Sequence, residues 1–343
     1  MKSPHHQLTT VVKRYKTVLP ASCIVNPQEE NGMKIIYAWL ATYAKIRSWA
    51  TNKDQRDAIE KALSKISDPE VHNEENDIKD LLEKRKYIVL QGAPGTGKTY
   101  TALNIAKDNK DKKYTQTFFE QFHAETTFSD FVYGIEPNIS KGMSQPQFQA
   151  KKGILYQAVE YAIKHENEKV LLIIDEINRA NLSNVLGPVF YLFEYQTGER
   201  NVKISVGDME LTQLPDNLYV IATMNTADRS LAVVDFALRR RFAWYTLRPH
   251  EITPGDGKKF MKETYNKFAD IFFQYATDDE LNLQPGQSYF IVGTNESAEE
   301  MKERMIYELL PLMKEYLTEG YLLKAKDAFC DLFLKETGKL MYE

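Results

Sequence analysis

An apolar run, Tyr87-Ile88-Val89-Leu90-Gln91, leads directly into Gly92-Ala93-Pro94-Gly95-Thr96-Gly97-Lys98-Thr99, and a helical pattern follows. This order of strand, glycine loop and helix constrains the chain more than any other feature. The eight residues fit the spacing G-x-x-x-x-G-K-[ST], which average residue frequencies would produce in a chain this long in roughly one case in a hundred. Glycines let the backbone curl so that successive N–H groups point at phosphate oxygens. The N-terminus of the following helix adds positive potential. In that geometry Lys98 supplies a point charge for the β- and γ-phosphates, and the Thr99 hydroxyl is a ligand for Mg²⁺.

Two further apolar runs read as strands, Val170-Leu171-Leu172-Ile173-Ile174 and Tyr219-Val220-Ile221-Ala222-Thr223. Continuous apolar strands separated by helices predict an α/β fold, a parallel sheet covered on both faces. Ligands of such sheets sit at the C-terminal edge of the strands. The second run ends there in Asp175-Glu176 and the third in Met224-Asn225. Asp175 is expected to hold the Mg²⁺ water shell, and Glu176 to polarise the attacking water. Asn178 and Arg179 follow within reach of the same edge. Asn225 offers an amide that bonds the γ-phosphate or the water without adding charge.

Arg239-Arg240-Arg241 closes an apolar helical run, Leu231 to Leu238, and precedes an apolar strand, Phe242 to Leu247. A solvated basic patch is the ordinary fate of such a run. Burying several arginines needs carboxylate or phosphate partners, and an arginine that stabilises transferring phosphoryl charge can be supplied in trans. These side chains are therefore expected to face the nucleotide of an adjacent subunit.

The rest of the chain sets the organisation. Residues 1–76 read as a helical N-terminal region, with caps at Asn26 and Asn52 and an aromatic stripe through Trp39, Tyr43 and Trp49. Asp68 to Asp77 reads as a polar linker. Residues 77–248 hold the strand–helix alternation, and residues 249–343 read as all-helical, with Met305, Leu309, Leu310, Met313 and Leu317 at helical spacing. A net charge of -4 excludes a wholly basic nucleic-acid footprint. The two cysteines, Cys23 and Cys330, are far apart, and the six histidines form no ligand pair, so a zinc site is not expected. No signal core and no membrane-length run are present, which points to a reduced, cytoplasmic protein without membrane contact.

Taken together the motifs resemble those of AAA+ NTPases, and within them the McrB family, the GTP-hydrolysing motor subunits of McrBC modified-cytosine restriction systems. The resemblance is carried by Asp175-Glu176-Ile177-Asn178-Arg179-Ala180-Asn181, by Met224-Asn225-Thr226-Ala227-Asp228-Arg229-Ser230 and by Ala237-Leu238-Arg239-Arg240-Arg241-Phe242. Phe122 to Gly134 and Glu308 to Tyr316 are also similar, so it spans about residues 85–320. It implies an AAA+ core with a helical lid, Asn225 as the sensor-1 residue, Arg240 as the trans arginine finger and Arg241 as a second phosphate-sensing arginine. It places Asp228 and Arg229 near a subunit interface. It also implies a hexameric ring, a McrC-like nuclease partner, and DNA engaged through the assembled complex. Where the family's lid often carries Gly-His-Ser-Tyr-Phe, this chain has Gly286-Gln287-Ser288-Tyr289-Phe290.

The phosphate loop reads phosphates and not the base. The guanine-reading Asn-Lys-x-Asp spacing is absent, so GTP is favoured through the resemblance and ATP stays open. Two other readings share these motifs: an ATP-driven remodelling protein of the MoxR or dynein-related kind, and a nucleotide-gated scaffold with little turnover. The intact Asp175-Glu176 pair argues against the scaffold, which has no need of a water activator.

Overall fold

The structure is a computed structural model, and it describes residues 74–107, 114–138, 147–194, 202–227, 236–277, 279–295 and 297–342. The expected caps at Asn26 and Asn52, the stripe through Trp39, and the residues Asp228 and Arg229 lie outside the described residues. Ile78–Glu343 forms one compact unit.

In chain order the elements are α1 (Glu74–Arg85), β1 (Tyr87–Gly92), α2 (Lys98–Lys107), β2 (Gln116–Gln121), α3 (Phe128–Phe131), β3 (Tyr133–Asn138), β4 (Gln147–Lys152), α4 (Ile154–Lys164) and β5 (Val170–Asp175). There follow α5 (Leu182–Leu186), β6 (Ile204–Val206), β7 (Met209–Leu211), β8 (Leu218–Asn225), α6 (Phe236–Arg241) and β9 (Ala243–Thr246). The C-terminal part holds β10 (Lys258–Phe260), α7 (Lys262–Tyr275), β11 (Ile291–Gly293), α8 (Ser297–Arg304), α9 (Leu310–Thr318) and α10 (Lys326–Thr337).

Five strands form one sheet in the order β2-β5-β8-β1-β9, and every pairing is parallel. The three central strands are buried on both faces, which is why they read as unbroken apolar runs. Alternate residues divide between two cores. Val89, Val170, Leu172, Ile174, Val220 and Ala222 face a layer built from α4 and the 3-10 turn Gly187–Phe193. Ile88, Leu90, Leu171, Ile173, Tyr219 and Ile221 face α1 and α2 through Ile78, Leu82, Ala102 and Ile105. α4 buries Leu155, Ala158, Val159 and Ala162, the i, i+3, i+4, i+7 stripe of an amphipathic helix.

Two expectations need correction. Residues 74–77 are not linker: they open α1, where Glu74, Glu75 and Asp77 lie in the first turn and complement the helix dipole. The C-terminal part is not purely helical, because β10 and β11 pair antiparallel. Its core is aromatic. Phe268 packs against Phe290, Phe329 and Phe333. The buried set Met305, Leu309, Leu310, Met313 and Leu317 is as the spacing predicts. Between α8 and α9, however, Met305–Leu309 is a π-helical turn, directly before the helix-restricting Pro311.

Candidate functional site

Strand register brings the three predicted strand tips together. Gly92 at the end of β1 is level with Asn225 at the end of β8. β5 lies on the other side of β8, with Ile174 level with Ala222. All three tips therefore meet at one C-terminal edge.

The phosphate loop curls as its glycines allow. Gly95 and Gly97 have φ of +80° and +86°, a region that L side chains rarely enter. Lys98 is 6% exposed, and its ammonium donates to the carbonyls of Gly92 (3.1 Å) and Ala93 (2.9 Å). Thr99 Oγ1 donates to Asp175 Oδ1 at 2.6 Å. Hydroxyl and carboxylate together make a pair of hard oxygen donors, the chemistry that Mg²⁺ prefers. The donor set of Thr99 and Asp175 thus fits that ion.

Two side chains that sequence reasoning missed complete the surroundings of Asp175. Gln121 Nε2, at the end of β2, donates to Oδ2 at 3.2 Å. Thr223 Oγ1 donates to Oδ1 at 2.7 Å and accepts the Glu176 N–H at 3.0 Å. Thr223 sits inside an apolar run, and a lone hydroxyl there was the only signal of a polar task.

Glu176 itself adopts the left-handed region, with φ 55° and ψ 48°. A non-glycine residue held there stores about 1–3 kcal/mol, and such strain collects at functional sites. The turn re-aims the carboxylate toward β8, where Asn225 Nδ2 donates to Oε1 at 2.5 Å. Arg179 Nε stands 3.5 Å from Oε2. Asn178 is buried, and its amide donates to the Asn225 carbonyl at 3.4 Å. Asp175, Glu176, Asn178, Arg179 and Asn225 thus form one connected group.

The arginines lie elsewhere. Ala243 is level with Ile88, four residues before Gly92. At ~3.3 Å per residue the run Arg239–Arg241 therefore ends more than ~13 Å behind the phosphate loop along the strand direction. Arg241 is 7% exposed; it donates to Glu194 Oε1 at 3.2 Å and stacks on the Phe190 ring at 4.3 Å. Arg240 also binds Glu194 Oε1, but its side chain is 64% exposed. Arg239 is exposed and lies over the Trp244 ring. The run therefore divides into one buried arginine and two at the surface.

The C-terminal part closes over the loop. A cavity of about 380 Å³ is bounded by Gly92 and Ala93, by Arg248 on the segment after β9, and by Leu281, Asn282 and Gln284. Thr226 Oγ1, just past β8, donates to the Asn282 carbonyl at 2.9 Å. No helix among the described residues is long and apolar enough to cross a membrane.

A phosphate loop, an acidic strand tip and a polar third tip on a five-stranded parallel sheet define an AAA domain. Residues 87–242 match the family "AAA domain (dynein-related subfamily)". The chain is 35% identical over 290 residues to the type IV methyl-directed restriction enzyme EcoKMcrB subunit of Escherichia coli, covering 77% of this chain and 61% of that protein. It is 29% identical over 193 residues to the type II restriction enzyme BsuMI component YdiS of Bacillus subtilis, covering 46% and 55% respectively. The chain is McrB-like, an AAA-domain protein that spans about three fifths of the length of the curated relatives it matches.

Proposed function

We propose that this chain is a Mg²⁺-dependent nucleoside triphosphatase, the motor component of a modification-dependent restriction system. The single observation that carries the reading is the meeting of Lys98, Thr99, Asp175, Glu176 and Asn225 at one sheet edge. Loop N–H groups and the Lys98 ammonium receive the phosphates. Thr99 and Asp175 would hold Mg²⁺, which would supply charge neutralisation for the phosphates. Glu176, steadied by Asn225, accepts a proton from the water whose oxygen attacks the γ-phosphorus as the bond to the bridging oxygen breaks.

The exposed Arg240 serves the nucleotide of a neighbouring copy in a ring, taken as a hexamer by likeness to the McrB family. Arg241 sits beside it as the second arginine, and its grip on Glu194 and Phe190 fixes the end of α6. Asp228 and Arg229 are assigned to the subunit interface. The cavity beside Gly92 is the seat of the nucleobase. GTP is favoured over ATP, an McrC-like nuclease is the partner, and DNA is engaged through the assembled complex. Residues 1–76, 77–248 and 249–343 are the N-terminal region, the core and the lid.

Hydrolysis of GTP and ATP side by side, with mass measurement of the assembly, tests the reading. Lys98→Ala is expected to abolish binding, and Glu176→Gln to bind without cleaving. Mixing Arg240→Ala with Glu176→Gln subunits is expected to restore part of the turnover, since a mixed interface in which the Arg240→Ala subunit holds the nucleotide pairs an intact Glu176 with an intact Arg240. No recovery at any ratio rejects the trans assignment. The dynein-related subfamily match favours, as a second reading, an ATP-driven remodelling protein, which would prefer ATP and gain nothing from a nuclease subunit.

A further inference from the structure

The backbone of the phosphate loop has an orderly hydrogen-bond inventory. The Gly92 carbonyl accepts from Lys98 and from Thr226 N, and the Ala93 carbonyl accepts from Lys98 and Thr96. The next three carbonyls are taken by the lid. Gly286 N donates to the Pro94 carbonyl at 2.9 Å, and Ser288 N donates to the Gly95 carbonyl at 3.0 Å. Gln287 Nε2 donates to the Thr96 carbonyl at 2.9 Å. The Gly97 carbonyl accepts from Thr101 N inside the helix start. The N–H groups of Gly95 and Gly97, by contrast, make no hydrogen bond among the described residues.

A peptide unit is planar, so fixing its C=O fixes the direction of the N–H across the same bond. Three lid donors on three successive carbonyls turn those carbonyls toward the lid. The Gly95 and Gly97 N–H groups of two of these peptides then face the other way, toward where phosphate oxygens would lie, while the Thr96 N–H of the third turns to the Ala93 carbonyl at 3.4 Å. The approach is close enough that a Cβ on Gly286 would sit 2.0 Å from the Gly95 carbonyl carbon. Gln287 is 8% exposed, a costly place for an amide without a task. The segment is anchored in the lid, because Phe290 is fully buried in the lid core and its carbonyl accepts from Met261 N at 2.8 Å.

We propose that Gln287, with the backbone of Gly286 and Ser288, is a lid-borne latch that sets the peptide orientations of the phosphate loop and thereby its affinity for nucleotide. The proposal rests on the triphosphatase reading and adds a positioning residue to it. Gln287 touches the loop and not the reacting atoms, so the latch sets binding and leaves the chemical step alone.

The test titrates fluorescent GTP and ATP analogues with Mg²⁺ into the full chain and measures steady-state turnover on the same preparations. Losing one hydrogen bond of about 0.5–1.5 kcal/mol predicts that Gln287→Ala weakens nucleotide binding by about 2–13-fold. Turnover at saturating nucleotide stays within about twofold, as expected for a uniform binding loss. Gln287→Glu removes the donor and turns a like charge toward the Thr96 carbonyl and the phosphates, and it weakens binding further than Gln287→Ala. Gln287→His returns an N–H donor and recovers most of the affinity. Melting temperatures report folding of each variant. If wild type binds nucleotide and the alanine and glutamate variants bind equally well, the latch is wrong while the triphosphatase reading stands. A fall in turnover at unchanged affinity overturns the positioning role. If wild type itself binds no nucleotide, the reading beneath the latch fails.

Discussion

Thr223→Val is the sharpest probe of how the acidic pair is held. The Thr223 hydroxyl is 1% exposed and serves two neighbours at once, donating to Asp175 and accepting from the Glu176 backbone. Valine has nearly the same shape, so no cavity opens and the change isolates the oxygen. A hydrogen bond to a charged group contributes about 1.5–3 kcal/mol, and a buried N–H left unpaired costs about 1–3 kcal/mol. Asp175 keeps two other donors, Thr99 and Gln121. The net loss therefore belongs in the lower half of the summed range, about 2.5–4 kcal/mol. Urea unfolding followed by intrinsic fluorescence, with an unchanged m-value, reads it directly. Turnover is expected to fall more than affinity, because the strained turn at Glu176 loses its anchor on β8. Thr223→Ser keeps the hydroxyl and is expected to stay within about 1 kcal/mol of wild type, the typical size of a single hydrogen bond. A valine variant within about 0.5 kcal/mol of wild type, the ordinary spread of neutral substitutions, refutes the bridging role.

Arg241→Ala, which breaks a buried ion pair and a ring contact, is expected to destabilise the chain by about 2–3 kcal/mol, less than a full buried-pair loss because Arg240 still satisfies Glu194. Arg240→Ala is expected to move stability by no more than about 0.5 kcal/mol, and chemical denaturation distinguishes the two. Gly286→Ala places a methyl group against the Gly95 backbone, and overpacking of that kind costs about 1–3 kcal/mol. Its melting temperature and nucleotide affinity should fall together, and an unchanged affinity would show that the lid contact is irrelevant to the loop. The Lys151 ammonium holds the Asp130 carboxyl down at about 2. The stabilisation it brings is complete above the ordinary carboxylate range and disappears as pH falls through about 2. Wild type should lose stability relative to Asp130→Asn across that interval, and with both side chains more than a third exposed the difference at neutral pH stays under about 1 kcal/mol.

What could be read in the sequence follows from what each element buries. β1, β5 and β8 are covered on both faces, so each is an apolar run that stops abruptly at a polar tip. β2 gives no such run: Gln116–Gln121 is an edge strand, only partly buried. The short ladders β3–β4 and β6–β7 have mixed composition and were equally silent. Asp175, Glu176 and Asn225 were legible because strand ends in a parallel sheet point to one edge. The left-handed turn at Glu176 was not, since no local preference of glutamate favours it. The separation within the arginine run depends on Glu194 and Phe190, which lie far away in sequence. Gln287 and Thr96 are 191 residues apart, so their contact has no local signature.

Two of the contacts between lid and core among the described residues lie at the C-terminal edge of the sheet. One is the latch on Pro94, Gly95 and Thr96; the other lies just beyond β8, where Thr226 donates to the Asn282 carbonyl and Ala227 packs on the lid core. If the lid docks as one body, loosening either contact loosens both. Gln287→Ala and Thr226→Val should then be sub-additive in nucleotide affinity, since the second substitution finds the lid already released. Independent contacts would add to within about 0.3–0.5 kcal/mol, while coupled ones depart by about 0.5–3 kcal/mol. A double-mutant cycle on nucleotide binding measures this coupling. Strict additivity would mean that the phosphate loop and the end of β8 are gripped by separately moving parts of the lid, so that lid docking could not couple the two.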